Sequence, residues 1–282
     1  MLSLSVIYWD PKPELFRIPY LDWPILWYGA LFALGFALGF PIFVGILTRF
    51  FGGKATRPKA VQIADRLTLY MILGTVIGAR LGHFLFYEHP AHYLRDPLQV
   101  FRIWEGGLAS HGGAVGIIVA LILFSWRVRS YAPELTWIRL LDFVAAPAAL
   151  AGCCIRIGNF MNQEILGTES RLPWAVVFGH PADRSLPYPR HPVQIYEALV
   201  YLGIFFFLWK LTFKPPFLKA QGKLIGLFLI LVFGFRFLIE FWKSEQSHLV
   251  ASSVLTMGGW LSLPLVALGF FFYFYRRRPS FF

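Results

Sequence analysis

The chain has 282 residues, of which 57% are hydrophobic, 18% aromatic and only 15% charged, with a formal net charge of +11. A mean hydropathy of +0.59 excludes an ordinary soluble domain, and separate apolar runs of about 20 residues point to membrane helices rather than a barrel. The basic residues sit in short loops between those runs, the pattern of the inner side of a membrane protein, so nucleic acid is excluded as the partner.

Residues 1–22 are mixed in character and are expected to lie outside, near the interface. Asp10, Lys12, Glu14 and Arg17 interrupt any signal-peptide pattern, so the first membrane helix is expected to serve as the targeting signal. The first span is read at 23–48, with Gly35 and Gly39 forming a small packing face. Arg49, Lys54, Arg57, Lys59 and Arg66 place the next loop inside. The second span, about 67–87, carries Gly74, Gly78 and Gly82 on one stripe and an arginine, Arg80, within it. The third, about 106–126, has His111 near its start, and Arg127, Arg129 and Arg139 return the chain inside. The fourth, about 140–158, runs into Arg156-Ile157-Gly158-Asn159-Phe160-Met161-Asn162-Gln163-Glu164-Ile165-Leu166-Gly167, where costly polar groups follow an apolar run. Cys153 and Cys154 are neighbours in that run and read as small apolar helix residues, not as a disulfide or a metal site.

Residues 159–191 form the longest polar connection, and Pro173, Pro181, Pro187 and Pro189 argue against a helix through it. It is expected to be an outer loop region. The fifth span is read at 192–211, the sixth at 224–242 and the seventh at 249–275, with Lys214, Lys219 and Lys223 inside and Arg276, Arg277 and Arg278 closing the chain there. The expected fold is therefore an all-α integral membrane protein. It is a single polytopic domain of seven transmembrane helices, N-terminus outside and C-terminus cytoplasmic, with a small outer loop region.

That topology brings Tyr28, Arg80, His83, His111, Arg156, Glu197, Arg236 and Glu240 to one depth, the outer half of the bilayer. Scattered structural ion pairs would not share a level, so a functional cavity is expected there. Arg236 and Glu240, four apart on one helix, also have the spacing of a simple ion pair. His111 lies among glycines at 106, 107, 112 and 113 that remove side-chain cover around it. His191 and Gln194 either cap the fifth helix or line the pocket; both readings are open. No His-Glu-x-x-His motif and no paired magnesium-binding aspartates are present, so neither metal nor cofactor is expected. Arginine forks match phosphate oxygens, and an anion at this depth points to a phospholipid head group.

Five segments now carry a resemblance. Trp27-Tyr28-Gly29, the Gly-Gly-x-x-x-His-Gly-Gly stretch at 106–113, the motif at 156–167, Arg190-His-Pro-x-Gln-x-Tyr-Glu at 190–197, and Phe235-Arg236-x-x-x-Glu240-Phe241 resemble bacterial prolipoprotein diacylglyceryl transferase in order and spacing. The resemblance implies transfer of the diacylglyceryl group of phosphatidylglycerol to the lipobox cysteine of a preprolipoprotein, with glycerol 1-phosphate released. It implies a bacterial plasma (inner) membrane location with the active site toward the outer face. Carried over by motif, Arg156 and Arg236 hold the head group and Tyr28, Asn159, Glu164 and Gly167 build the site. His111, Arg156 and Arg236 are the catalytic candidates, and Glu240, His191 and Arg80 stand behind them. Whether His111 acts as base or the arginines activate the thiol by their field is open. The connection at 168–189 is short for the family, Val232 stands where a tyrosine is expected, and Lys243 where arginine is more usual. The competing expectation is an anionic phospholipid transporter or flippase. It is disfavoured because no internal repeat is visible and the ionisable groups keep to one level.

Overall fold

The computed structural model describes residues 7–20, 22–88, 96–102, 107, 109–244 and 256–274, apart from the side chains at 97, 101 and 110. Among them, seven helices are long and apolar enough to cross a membrane. These are α1 (Trp27–Phe50), α2 (Arg57–Tyr87), α3 (Ser110–Val128), α4 (Trp137–Met161), α5 (Val193–Thr212), α6 (Lys223–Ile239) and α7 (Met257–Phe274).

The expected spans match these helices, and the edges that differ have local causes. The first span was expected from residue 23, but Pro24 lacks a backbone donor and the chain first forms a strand, Trp23–Leu26, before the helix begins at Trp27. The second helix starts at Arg57, ten residues before the expected edge, because Pro58 at its second position is compatible with a helix start. The expected seventh span falls partly outside the described residues, as do the closing arginines at 276–278. The chain is mostly helical rather than all-α. Ile7–Trp9 (β1), Val176–Phe178 (β4) and Pro189–Arg190 (β5) form one small sheet in the order β1-β4-β5, and Glu14–Ile18 (β2) pairs antiparallel with Trp23–Leu26 (β3). Hydrophobicity alone does not reveal these strands of two to five residues, and the sheet β1-β4-β5 draws them from distant parts of the chain.

The chain divides into two compact units, residues 1–42 with 144–282, and residues 43–143. In the first, a core gathers Ala145, Ala146, Ala149 and Cys153 of α4 against Ala198, Tyr201, Ile204, Phe205 and Leu208 of α5, with Leu224 and Val232 of α6. The small residues of α4 allow close approach where lipid offers no hydrophobic drive. Gly35 does the same on α1: a Cβ there would fall 3.0 Å from the Ala151 Cα. Val232, the departure from the expected tyrosine, is a buried member of this core. A satellite cluster of Leu166, Val176 and Phe178 sits with Trp9 and Phe160, whose rings stack at 4.7 Å.

In the second unit the stripe at Gly74, Gly78 and Gly82 becomes the contact face of α2 against α3. A Cβ on Gly82 would meet the Gly112 Cα at 2.7 Å, and one on Gly78 the Gly116 Cα at 2.8 Å. The Ala109 amide bonds the Ala79 carbonyl at 2.9 Å at the head of this seam.

Candidate active site

The motif at 156–167 gains its shape from the way α4 ends. The Glu164 amide donates to the Asn159 carbonyl at 3.0 Å and the Gln163 amide to the Phe160 carbonyl at 3.2 Å, the two bonds of a Schellman cap. The residue in the left-handed position is Gln163, at φ 52, where glycine is usual. Its side chain offsets the strain: Nε2 donates to Asp10 Oδ1 at 3.1 Å, and Oε1 accepts from the His180 amide at 2.8 Å. Asp10 also meets His180 Nδ1 at 2.6 Å, and the hydrogen bonds from His180 and Gln163 hold its carboxyl below the usual range.

This cap folds Glu164 back beneath the last helical turn. Glu164 Oε1 accepts from Asn159 Nδ2 at 2.8 Å and from Asn162 Nδ2 at 3.3 Å, while Asn159 Oδ1 accepts from Arg156 Nη1 at 3.0 Å. Arg156, Asn159 and Glu164 therefore form one polar line. Tyr28 lies within electrostatic reach of both Arg156 and Glu164. Its ring fits because residue 158 is glycine; a Cβ there would stand 2.9 Å from Tyr28 Cδ2. Gln194 Nε2 locks the turn from α5, donating to the Glu164 carbonyl at 2.7 Å.

Arg156 also begins a chain of alternating charges. Its Nε lies 3.4 Å from Glu197 Oε2, an ion pair too misaligned to be a hydrogen bond, since neither atom has a hydrogen-bond partner. Glu197, 0% exposed, accepts from Lys243 Nζ at 3.0 Å on its other oxygen, and Lys243 reaches Glu240 at 3.5 Å. The Tyr201 hydroxyl donates to the same Glu197 oxygen at 3.4 Å. Burial pulls the Lys243 amine below its ordinary value, and Arg156 and Arg236 add to this, while Glu197 and Glu240 oppose it.

Arg236 stands beside this chain without joining it. Half-buried, its side chain makes no hydrogen bond or ion pair with a described residue, although it lies within electrostatic reach of Tyr201 and Lys243. The i,i+4 pairing of Arg236 with Glu240 is thus not formed; Glu240 turns to Lys243, which follows it on a short 3₁₀ turn, Glu240–Trp242. Charges alternate along Arg156, Glu197, Lys243 and Glu240, and Arg236 lies outside that chain.

Gly167 is a backbone junction. It bridges Lys243, and its carbonyl accepts from Ser244 Oγ at 2.9 Å and Arg190 Nη1 at 3.3 Å. A Cβ on it would press on the His191 Cβ at 2.8 Å. His191 meets the Tyr196 hydroxyl at 3.5 Å, and burial lowers its imidazole below the ordinary value. Neither His191 nor Gln194 caps α5 with its side chain.

Two candidates belong to the second unit. His111, the second residue of α3, is exposed, with its ring 5.2 Å from Phe86 and 5.7 Å from Tyr87. Gly112 beside it serves the α2 seam. Arg80 is buried and gives Nε to the Val100 carbonyl at 3.0 Å, Nη1 to Gly107 at 3.2 Å and Nη2 to Gln99 at 2.5 Å, over the Phe84 ring at 4.6 Å. In these contacts it binds backbone carbonyls at residues 99, 100 and 107. The expected glycine at 106 lies outside the described residues.

Three residues were passed over as site candidates in the sequence. Lys243 registered only as a departure, Tyr201 as an ordinary aromatic, and Arg190 as a motif letter. Arg190 is 2% exposed and holds the connection before α5 together through Asp183 Oδ2 at 3.1 Å, Ser185 Oγ and the Tyr188 ring at 4.0 Å. An arginine between two prolines' worth of loop was its one visible signal.

The model of the prolipoprotein diacylglyceryl transferase family matches residues 13–275. A phosphatidylglycerol–prolipoprotein diacylglyceryl transferase of Tolumonas auensis is 44% identical, covering 94% of this chain and 95% of its own. Proteins of the same name are 41% identical in Chloroherpeton thalassium, covering 95% and 94%, and 36% identical in Protochlamydia amoebophila, covering 94% of each. Matches spanning nearly the whole chain, including every element that carries the Arg156 and Arg236 groups, establish that this chain belongs to the prolipoprotein diacylglyceryl transferase family.

Proposed function

We propose that this protein is a transferase that moves the diacylglyceryl group of phosphatidylglycerol to the lipobox cysteine thiol of preprolipoproteins. The observation that carries the reading at the site is the guanidinium of Arg236, which pairs with no carboxylate among the described residues, beside the chain Arg156–Glu197–Lys243–Glu240. A half-buried cation with no counterion among the described residues calls for an anion, and a lipid phosphate is the anion the membrane supplies.

In the reaction, the cysteine sulfur attacks the glycerol carbon that bears the phosphate. A carbon–sulfur bond forms, the carbon–oxygen bond breaks with its electron pair going to the phosphate oxygen, and glycerol 1-phosphate leaves. The thiol proton passes to a base, for which His111 is the candidate. Charge grows on the leaving oxygen, where Arg156 and Arg236 stabilise it in a medium of low dielectric. Asn159 and Glu164 hold Arg156 in place, Tyr28 and Gly167 shape the site, and Glu240 and His191 support it. The enzyme works at the outer face of the bacterial plasma membrane, N-terminus outside and C-terminus inside, with residues 159–191 as its outer loop region.

The test is direct. Purified protein in phosphatidylglycerol vesicles, given a lipobox peptide, is expected to yield a thioether-linked diacylglyceryl peptide by mass spectrometry. Vesicles of phosphatidylethanolamine alone serve as the negative control. Absence of product where the Tolumonas auensis protein works would overturn the proposal.

A further inference from the structure

Glu197 has two cations and treats them unequally. Lys243 Nζ makes a hydrogen-bonded contact with Oε1 at 3.0 Å, whereas Arg156 Nε stands off at 3.4 Å from Oε2 with neither atom hydrogen-bonded. The Lys243 side chain is only 5% exposed and its carboxylate partner 0%, so solvent screens this pair little. Lys243 is itself fixed from three sides. Its amide bonds the Glu240 carbonyl at 3.1 Å, its backbone bridges Gly167, and its amine reaches Glu240 at 3.5 Å.

We infer that Lys243 is a positioning residue for the transfer: by holding the Glu197 carboxylate it keeps Arg156 only partly compensated and aligned on Asn159, so that the guanidinium presents its charge to the phosphate of the donor lipid. The inference rests on the reading of Arg156 as a phosphate anchor. Without the ammonium, a buried carboxylate would have Arg156 as its remaining close cation. In a medium of low dielectric that attraction draws the fork onto Glu197, off Asn159 Oδ1, and cancels the field that the phosphate needs. Lys243 touches no substrate in this scheme and acts through Glu197. Removing the carboxylate as well should release Arg156 again, because a glutamine at 197 still offers Nε an acceptor without the charge.

The experiment measures transfer from phosphatidylglycerol in mixed vesicles to a lipobox peptide for the wild type, K243M, K243R and K243M/E197Q. Each is first checked for folding by size exclusion and thermal melting in detergent. K243M is expected to lose about tenfold or more in kcat/KM for the lipid, the scale of breaking a buried charge pair, with KM for the peptide changed by less than about twofold. K243R should regain most of the loss, and K243M/E197Q should be more active than K243M. A folded K243M with unchanged lipid kinetics, or a folded double variant no more active than K243M, would overturn the inference. If K243M does not fold, a folded double variant with measurable transfer supports it and one without transfer overturns it. If neither folds, K243R decides: retained lipid KM supports the inference, and a folded, inactive K243R overturns it. Failure of the wild type to form product counts instead against the transferase reading.

Discussion

Arg156 shows how little a charge count says about a guanidinium. One edge of its fork meets Asn159 Oδ1 at 3.0 Å and another faces Glu197 at 3.4 Å, so its plane is set before any ligand arrives. A lysine at this place keeps the charge but satisfies one direction only. Arg156→Lys is therefore expected to fold and to lose about 100-fold in kcat/KM for phosphatidylglycerol, as loss of a charge-assisted contact in a desolvated site implies. The check is transfer kinetics on protein whose melting temperature is unchanged; wild-type turnover would show that the fork geometry is irrelevant. Gln163 makes a similar point about backbone. A left-handed residue with a side chain costs energy, and buried hydrogen bonds to Asp10 and the His180 amide offset it. No local pattern announces that compensation, because Asp10 is far away in the sequence.

At the scale of elements, glycine decides which helices touch. Gly78 and Gly116 bring the α2 and α3 backbones together so closely that a methyl group on Gly78 would lie 2.8 Å from the Gly116 Cα. Gly78→Ala is expected to destabilise the protein by about 1–3 kcal/mol through overpacking, read as a lowered melting temperature in detergent. Gly45 is the contrast, since nothing lies within 4 Å of a Cβ there. Gly45→Ala should be neutral or gain about 0.4–1 kcal/mol by reducing the freedom of the unfolded chain. Equal effects at the two positions would show that the seam carries no packing energy. The glycine stripe on α2 was legible from its period of four, because helical geometry puts such residues on one face. Its partner face on α3 was not, because the same glycines near His111 read as cover removed from a histidine.

For the molecule as a whole, the charge distribution of the loops sets a topology that cysteine labelling can test. A membrane-impermeant maleimide applied to intact cells is expected to label Leu186→Cys, which is 84% exposed in the connection before α5, and not Ala55→Cys in the basic loop after α1. Native Cys153 and Cys154 are buried and should stay silent. The reverse pattern would invert the orientation. Seven spans were readable from composition, since apolar runs long enough to cross a bilayer admit few alternatives and a helix satisfies its own backbone. The small sheet that ties Ile7–Trp9 to Val176–Phe178 was not readable, because each strand is three residues long and needs a partner more than 160 positions away. The same contrast governs the site. The sequence by itself determined the membrane class, the motif residues and their family, because these depend on local composition and order. Only the tertiary structure decided that Glu197 joins Arg156 to Lys243, that Glu240 turns from Arg236, and that Arg236 pairs with no described carboxylate. Ion pairs across 40 or more residues are chosen by which helix faces meet, and in a low-dielectric interior that choice fixes which charge remains for the substrate.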